Sequence, residues 1–579
     1  MIKLILKIII TFGLIPLLLF FSYIVFIESQ VKFPTNIPTV SFWISFIPFF
    51  NKNIDQREIW FKYIQPKIEK TGIVKIYFAG RWNLLVDDPE YMNQLFKNEY
   101  NIYYKSGNNE KIPNSLLAYY TGTNIISAHG NQWSKFRKIL LPGFLNFNNY
   151  SIAFKNGKLF CNLISSSLEQ NSNNINFKEE TLTEYDNITS EETSQREYSN
   201  QISLTPSNDT LEIKNKLDKE NSISTLNSNK QTDNNLSVLK SKHDFSISIS
   251  DFVQRLCLAN ISEIALGFNI GTLSDEKSIL YDKLNLVKKQ IFKPLFMAFP
   301  FLDNLSIKSR QITKQNIDSF KENLFLQIQS NLISNFRYEQ ESYLNPAANL
   351  IKNNANGVLT KKELLDNLTI LLVAGHENPQ LLLTSLIFIL AKYKWAQDDI
   401  RHELLSLKMN DYADNTKLAF LSQSSLLNSV IYETIRLYPP IGQLINRKTA
   451  KNCYLTSSKH PTIYIKKGTY IGYNNFGLQR RENIWGKDSN KFKPSRWGDN
   501  ITEINGQWKK RKSNCEITAF HGGNRNCIGE EIALNIMRIT IWEMVTHFEW
   551  KLADDWVEKF TPAGPICPAG LKISITNID

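Results

Sequence analysis

The run FHGGNRNCIG, from Phe520 to Gly529, holds the residues best suited to chemistry. Cys527 stands in a glycine-rich loop beside Arg525, just before an apolar helical pattern that starts near Ile528. Gly522, Gly523 and Gly529 let the backbone pass close to something bulky. Free N–H groups and the positive end of the helix dipole should face the sulfur and favour its thiolate. Such a thiolate can act as a nucleophile, with His521 as a nearby base, or ligate a metal. A lone cysteine is ordinarily a buried core thiol. The glycines and Arg525 are better explained by a ligand to one large flat cofactor.

A second group is AGHENP, Ala374 to Pro379, inside the long apolar pattern LLDNLTILLVAGHENPQLLLTSLIFILAKY. Ala374 and Gly375 would make room beside a planar ligand. Glu377 and Asn378 could relay protons. Pro379 has no N–H, so the helix bond to the Gly375 carbonyl is missing and the helix is expected to kink or open there. Glu433 and Arg436 are an i,i+3 pair in SSLLNSVIYETIRLYPP, a helical pattern stopped by Pro439 and Pro440. Trp133 and Arg137 fall in HGNQWSKFRK, which alone reads as an amphipathic helix.

These groups need a large scaffold, and 579 residues supply one. The pattern predicts a mainly α fold with a minor β region. IVKIYFAG and WNLLV read as paired strands, DDPEYMNQLF starts a helix, and CPAGLKISIT is strand-like. Short strands and turns are expected between the prolines and the cysteine loop. Residues 165–244 are rich in Asn, Ser, Glu and Lys with little apolar periodicity, which predicts a disordered insertion. The stretch from Ile8 to Ile27 carries no charge. Twenty helical residues span about 30 Å, a bilayer's hydrocarbon thickness, so residues 1–30 are expected to form a transmembrane anchor and 31–579 the catalytic domain. The run lacks a small-x-small cleavage site. Lys3 and Lys7 before it, against Lys32, Lys52 and Arg57 after it, leave its orientation open. The net charge of +12 suits anionic lipid or an acidic protein. Zinc-finger spacing and basic heptads are lacking, so nucleic acid is not expected as a partner. The six cysteines are scattered without a CxxC pair, against both a disulfide framework and a structural zinc site.

Phe520, Gly523, Arg525, Cys527 and Gly529, followed by Ala533, match F-x-x-G-x-R-x-C-x-G and resemble the haem loop of cytochrome P450 enzymes. The other landmarks follow in that family's order. Glu433, Arg436 and Arg496 resemble its core lock, Trp133 and Arg137 its W-x-x-x-R helix, whose side chains hold a propionate, and Arg447 a frequent propionate contact. AGHENP resembles its oxygen-site pattern, with Asn378 where threonine is usual. The likeness spans nearly the whole chain apart from the anchor and the insertion.

The resemblance implies the cytochrome P450 fold and haem b (iron protoporphyrin IX), with Cys527 as axial ligand and Phe520 against the sulfur side. It implies that Arg525 pairs with a propionate. NADPH electrons are expected through a separate NADPH–cytochrome P450 reductase. The implied location is the endoplasmic reticulum membrane, single-pass, with the catalytic domain cytosolic. WKKRK, Trp508 to Lys512, together with Lys487, Lys491 and Lys493, would offer that reductase a basic face.

AGHENPQLLLTS and GQLINRKT are similar to fungal P450s of the dityrosine-forming type, the N-formyltyrosine oxidases. Phenol coupling of N-formyltyrosine to a bisformyl dityrosine for the spore wall is the first expectation. The alternatives are hydroxylation of a lipid or sterol and a non-catalytic haem-binding membrane protein. Substrate contacts are expected from Ser106 to Ser127, Phe292 to Leu302, near Ala374, Ile441 to Leu444, and Pro565 to Cys567.

Overall fold

The computed structural model describes residue 22, residues 36–170 apart from 52, and residues 245–578 apart from 275–277, 306 and 336–344. The apolar run from Ile8 to Ile27 and nearly all of the 165–244 segment lie outside the described residues. Among the described residues, no helix is long and apolar enough to cross a membrane. The chain divides into one unit of Met1–Ile164 with Ser246–Asp579 and a second of Ser165–Phe245.

The first unit is built mainly of helices, with three small sheets. Strands β1 (Ile73–Phe78), β2 (Arg81–Val86), β3 (Tyr103–Lys105), β5 (Gln443–Thr449) and β8 (Tyr470–Asn474) form one sheet in the order β1-β2-β8-β5-β3. Strands β4 (Phe245–Ser248), β9 (Phe548–Leu552) and β10 (Lys572–Asn577) form a second, and β6 (Cys453–Leu455) with β7 (Ile463–Ile465) a third. In the first sheet the register of β5 against β8 slips between Ile445 and Arg447. This bulge breaks the strict alternation of faces, and Ile445, Asn446 and Arg447 are all buried in succession. At the same place Gly472 admits the β5 backbone; a Cβ there would sit 2.0 Å from the Leu444 carbonyl oxygen.

The helices that carry the site are α1 (Pro89–Lys97), α2 (Gly130–Leu145), α3 (Ile249–Ile261), α4 (Ile279–Ile291), α5 (Lys361–Lys392), α6 (Ser425–Leu437), α7 (Ile501–Ser513) and α8 (Glu530–His547). α5 starts at a capping box: Thr360 Oγ1 accepts from Glu363 N and Glu363 Oε2 accepts from Thr360 N. It is buried from Asp366 to Leu372 and from Leu382 to Ala391, so its hydrophobic pattern runs almost all round. Its polar groups also pin a loop. Thr123 N donates to Asp366 at 3.0 Å and Ile125 N to Asn367 at 3.0 Å.

Two expectations change here. The segment holding WKKRK was expected as strands and turns but is the helix α7, capped by Asn500, whose side chain accepts from Glu503 N. Trp508 is buried and stacks on Tyr432 at 4.3 Å, and Lys512 is bound to Glu530. Helix α5 is unbroken through Pro379. Packing on both sides of the proline holds the helical path although one bond is missing.

Glu433 and Arg436 on α6 are fully buried. Glu433 accepts from Arg436 Nε and Nη2 at 2.8 Å each, from Arg496 Nε at 2.8 Å and from Trp497 Nε1 at 3.2 Å. Arg436 Nη1 donates onward to the Gln479 and Ser489 carbonyls. Removing one partner leaves an uncompensated buried charge, which costs about 3 to 5 kcal/mol. Glu433→Ala is therefore expected to lower stability by that amount in urea unfolding, and Arg496→Ala, which spares the inner pair, by less.

Candidate active site

The cysteine loop is closed by its own backbone: Cys527 N donates to the Phe520 carbonyl at 2.9 Å. Phe520 packs edge-on to Trp508 at 6.3 Å, which ties the loop to α7. The helix that follows starts at Glu530, with Gly529 as its cap, two residues later than expected. Cys527 has an exposed surface, yet protein atoms crowd its other sides. Burial pushes the thiol up from its ordinary value. A Gly529 N–H pulls it down and Glu530 pushes it up, while Arg137 and Lys512 pull it down. Burial therefore works against the thiolate, while the loop N–H, Arg137 and Lys512 work for it. A bound metal cation would reverse that balance.

Beside the loop lies a group of cations. Arg447 on β5 stands directly opposite Lys105 on β3 in the antiparallel register. Like charges placed so are destabilising unless an anion bridges them. His521 Nε2 lies 3.1 Å from Arg447 Nη2 and 3.2 Å from Lys105 Nζ. Nδ1 accepts from Gly522 N at 2.7 Å and lies 2.9 Å from the Gly522 carbonyl oxygen. Burial, then Lys105 and Arg447, hold the His521 pKa well below its ordinary value. His521 is thus a neutral acceptor locked into this group, not a base for the sulfur. Its φ of 66° is in the left-handed region.

Arg525 is buried with its guanidinium 4.4 Å from the centre of the Trp133 ring. Its Nε lies 2.5 Å from Glu99 Oε1, but the N–H is not aimed at that oxygen, and Nη2 has no hydrogen-bond partner. Burial first, eased by Glu99, leaves the Arg525 pKa lowered to about 10. Arg447 Nε is likewise unpartnered, and Glu99 approaches its Nη2 only to 3.6 Å. Burial also holds Lys105 well below its ordinary value, reinforced by Arg447. Three buried cations therefore face one carboxylate, with donors unsatisfied. That arrangement fits the two carboxylates of a haem edge.

Arg137 is not in this group. It binds the loop itself, donating to Asn526 O at 3.0 Å and Asn526 Oδ1 at 3.1 Å. Trp133, four residues earlier on α2, meets the cations through its ring. Lys105, Glu99 and His521 were not foreseen in this role. They come together only through strand pairing and the end of α1.

The middle of α5 is the other wall. From Val373 to Leu381 every residue but His376 is only half-buried, in a helix packed tightly on either side. Val373, Ala374 and Ile528, the neighbour of Cys527, pack against the same apolar cluster. A Cβ on Gly375 would meet Ile261 of α3 at 2.3 Å, so its smallness lets α3 pack closely. Glu377 pairs with Lys288 of α4 at 3.1 Å. Asn378 Nδ2 turns back to the Ala374 carbonyl at 3.4 Å, within its own helix.

The chain also resembles known proteins along most of its length. The cytochrome P450 profile matches residues 216–569. Cytochrome P450-DIT2 of Saccharomyces cerevisiae is 38% identical over 565 residues, covering 97% of each chain. The chain belongs to the cytochrome P450 family. Cytochrome P450 monooxygenase xanG of Aspergillus fumigatus is 26% identical over 548 residues, covering 93% of this chain and 86% of that one. As a P450 the chain is an oxidoreductase that holds haem b and takes electrons from a reductase. When bound, the haem supplies the one-electron and O2 chemistry, with a cysteine thiolate as its axial ligand.

The cation group makes a prediction with opposite signs in two states. Lys105→Met removes a buried repulsion, so the haem-free protein is expected to gain stability in urea. The haem-bound protein loses a propionate contact and is expected to release haem roughly tenfold faster to apomyoglobin.

Proposed function

We propose that this P450 couples two N-formyltyrosine phenols into a bisformyl dityrosine. The support is the likeness of AGHENPQLLLTS and GQLINRKT to the dityrosine-forming type, together with near-full-length similarity to cytochrome P450-DIT2. Two ring C–H bonds are lost and one C–C bond forms. The two electrons released by coupling and two from NADPH reduce O2 to two waters. The separate NADPH–cytochrome P450 reductase delivers the NADPH electrons.

In this reading Cys527 would hold the haem iron, and Arg525, Arg447, Lys105 and Trp133 would hold its propionates. Arg137 fixes the loop by holding Asn526. Glu377, steadied by Lys288, holds or passes a proton on the oxygen side. Asn378 gives its amide to the helix backbone, so it offers no hydroxyl in threonine's usual place. Hydrogen-atom removal without oxygen insertion suits such a site. The apolar run Ile8–Ile27 anchors the protein in the endoplasmic reticulum membrane, and 165–244 is an insertion in the catalytic domain. Lys487, Lys491, Lys509 and Lys510 remain for reductase docking, since Lys512 is bound to Glu530 and Lys493 to Asp488.

The test is the reduced, carbon-monoxide difference spectrum followed by product analysis. A thiolate-type Soret band is expected in the wild type and not in Cys527→Ala. With reductase and NADPH, N-formyltyrosine is expected to give a C–C dimer with no added oxygen. A product gaining one oxygen atom would sink the coupling reading. Glu377→Gln is expected to slow turnover about a hundredfold while haem content stays unchanged.

A further inference from the structure

Another cation, Lys111, lies in a pocket framed by the β1–β2 turn, residues 108–117 and residues 291–303. Its wall is largely apolar: Phe78, Leu117, Ile291, Phe296 and Met297. At one end stands Lys111. Its ammonium donates to the Ile445 carbonyl on β5 at 2.6 Å. No carboxylate among the described residues forms an ion pair with it. The charges around it are accounted for. Arg81 donates to the Lys111 carbonyl and lies over Tyr470 at 4.5 Å, adding positive charge without neutralising any. Glu110, the next residue, pairs with Lys448 at 2.7 Å and accepts from Tyr104. Asp303 lines the pocket, but Arg310 holds one oxygen at 2.7 Å and Leu116 N donates to the other at 2.9 Å. Burial and Arg81 pull the Lys111 pKa down to about 8, as expected for an ammonium without a counter-ion.

We propose that Lys111 is the anchor for a substrate carboxylate, so that the pocket selects a small molecule with an apolar or aromatic body and one carboxylate. A buried ammonium beside an apolar wall favours such an anion over its neutral ester or amide. This deepens the reading above and rests on it for the identity of the body. In N-formyltyrosine the anchored carboxylate leaves the phenol as the free end. A sterol has no group for Lys111; a fatty acid does.

The other source of a carboxylate is a haem propionate, because β5 carries both Ile445 and Arg447. The experiment separates the two. Full-length holoprotein in phosphatidylcholine vesicles is titrated with N-formyltyrosine, N-formyltyrosine methyl ester, dodecanoate and methyl dodecanoate, reading the Soret shift. Wild type is expected to bind an acid at least about tenfold more tightly than its ester. Lys111→Met should bring the pair within twofold and Lys111→Arg should keep the preference, both with an unchanged reduced carbon-monoxide band. No acid preference in the wild type with either pair overturns the proposal, even if Lys111→Met fails to fold. So does a Lys111→Met holoprotein that keeps the preference; if that variant also releases haem faster to apomyoglobin, Lys111 belongs with the propionates. If dodecanoate shows the Lys111-dependent preference and N-formyltyrosine does not bind, the anchor stands and the coupling substrate is withdrawn.

Discussion

The buried carboxylate of Glu433 is the point on which the cysteine side of the molecule depends. It takes donors from Arg436 on its own helix and from Arg496 and Trp497, sixty residues along the chain. A carboxylate taken out of water is costly unless every lone pair is used. Here the satisfied arrangement allows one placement of the segment before α7. That segment sets Trp508, which stacks on Tyr432 and packs edge-on to Phe520 at the mouth of the cysteine loop. The position of Cys527 is thus set by ion pairing remote from the sulfur.

The second organising term is positive charge left without enough negative charge. Lys105 and Arg447 face each other across a strand pair, with Arg525 close by and Glu99 between the arginines. Proteins rarely bury donors without partners. When they do, a ligand is the usual reason. The bulge at Asn446 serves the same end, since it lets three successive residues of β5 turn inward. The chain thereby stores an anion preference in its backbone register as well as in its side chains.

Helix α5 shows how one element meets two demands. Its ends pack on every side, while its middle stays half-buried where Val373 and Ala374 join the cluster that also holds Ile528. Gly375 lets α3 approach through Ile261, and Glu377 reaches across to Lys288 on α4. Close packing on one face and an open stretch on the other come from the same short segment.

The loop chemistry, the family landmarks, the long buried helix and the mainly α character were legible from the chain alone. They are local or follow a fixed spacing, and spacing survives in the linear order. The capped helix α7 was also written there, in Asn500 followed by Glu503, but its many polar residues hid the periodicity. What only the tertiary structure decided was partnership. Lys105 sits on a three-residue strand and meets Arg447 more than three hundred residues later. His521 changed from possible base to buried acceptor because two cations surround it. Lys111 became a candidate anchor because the acids near it are already engaged. Residue type and spacing fix which groups can react; desolvation and long-range neighbours, set by packing, fix the charge state in which they stand.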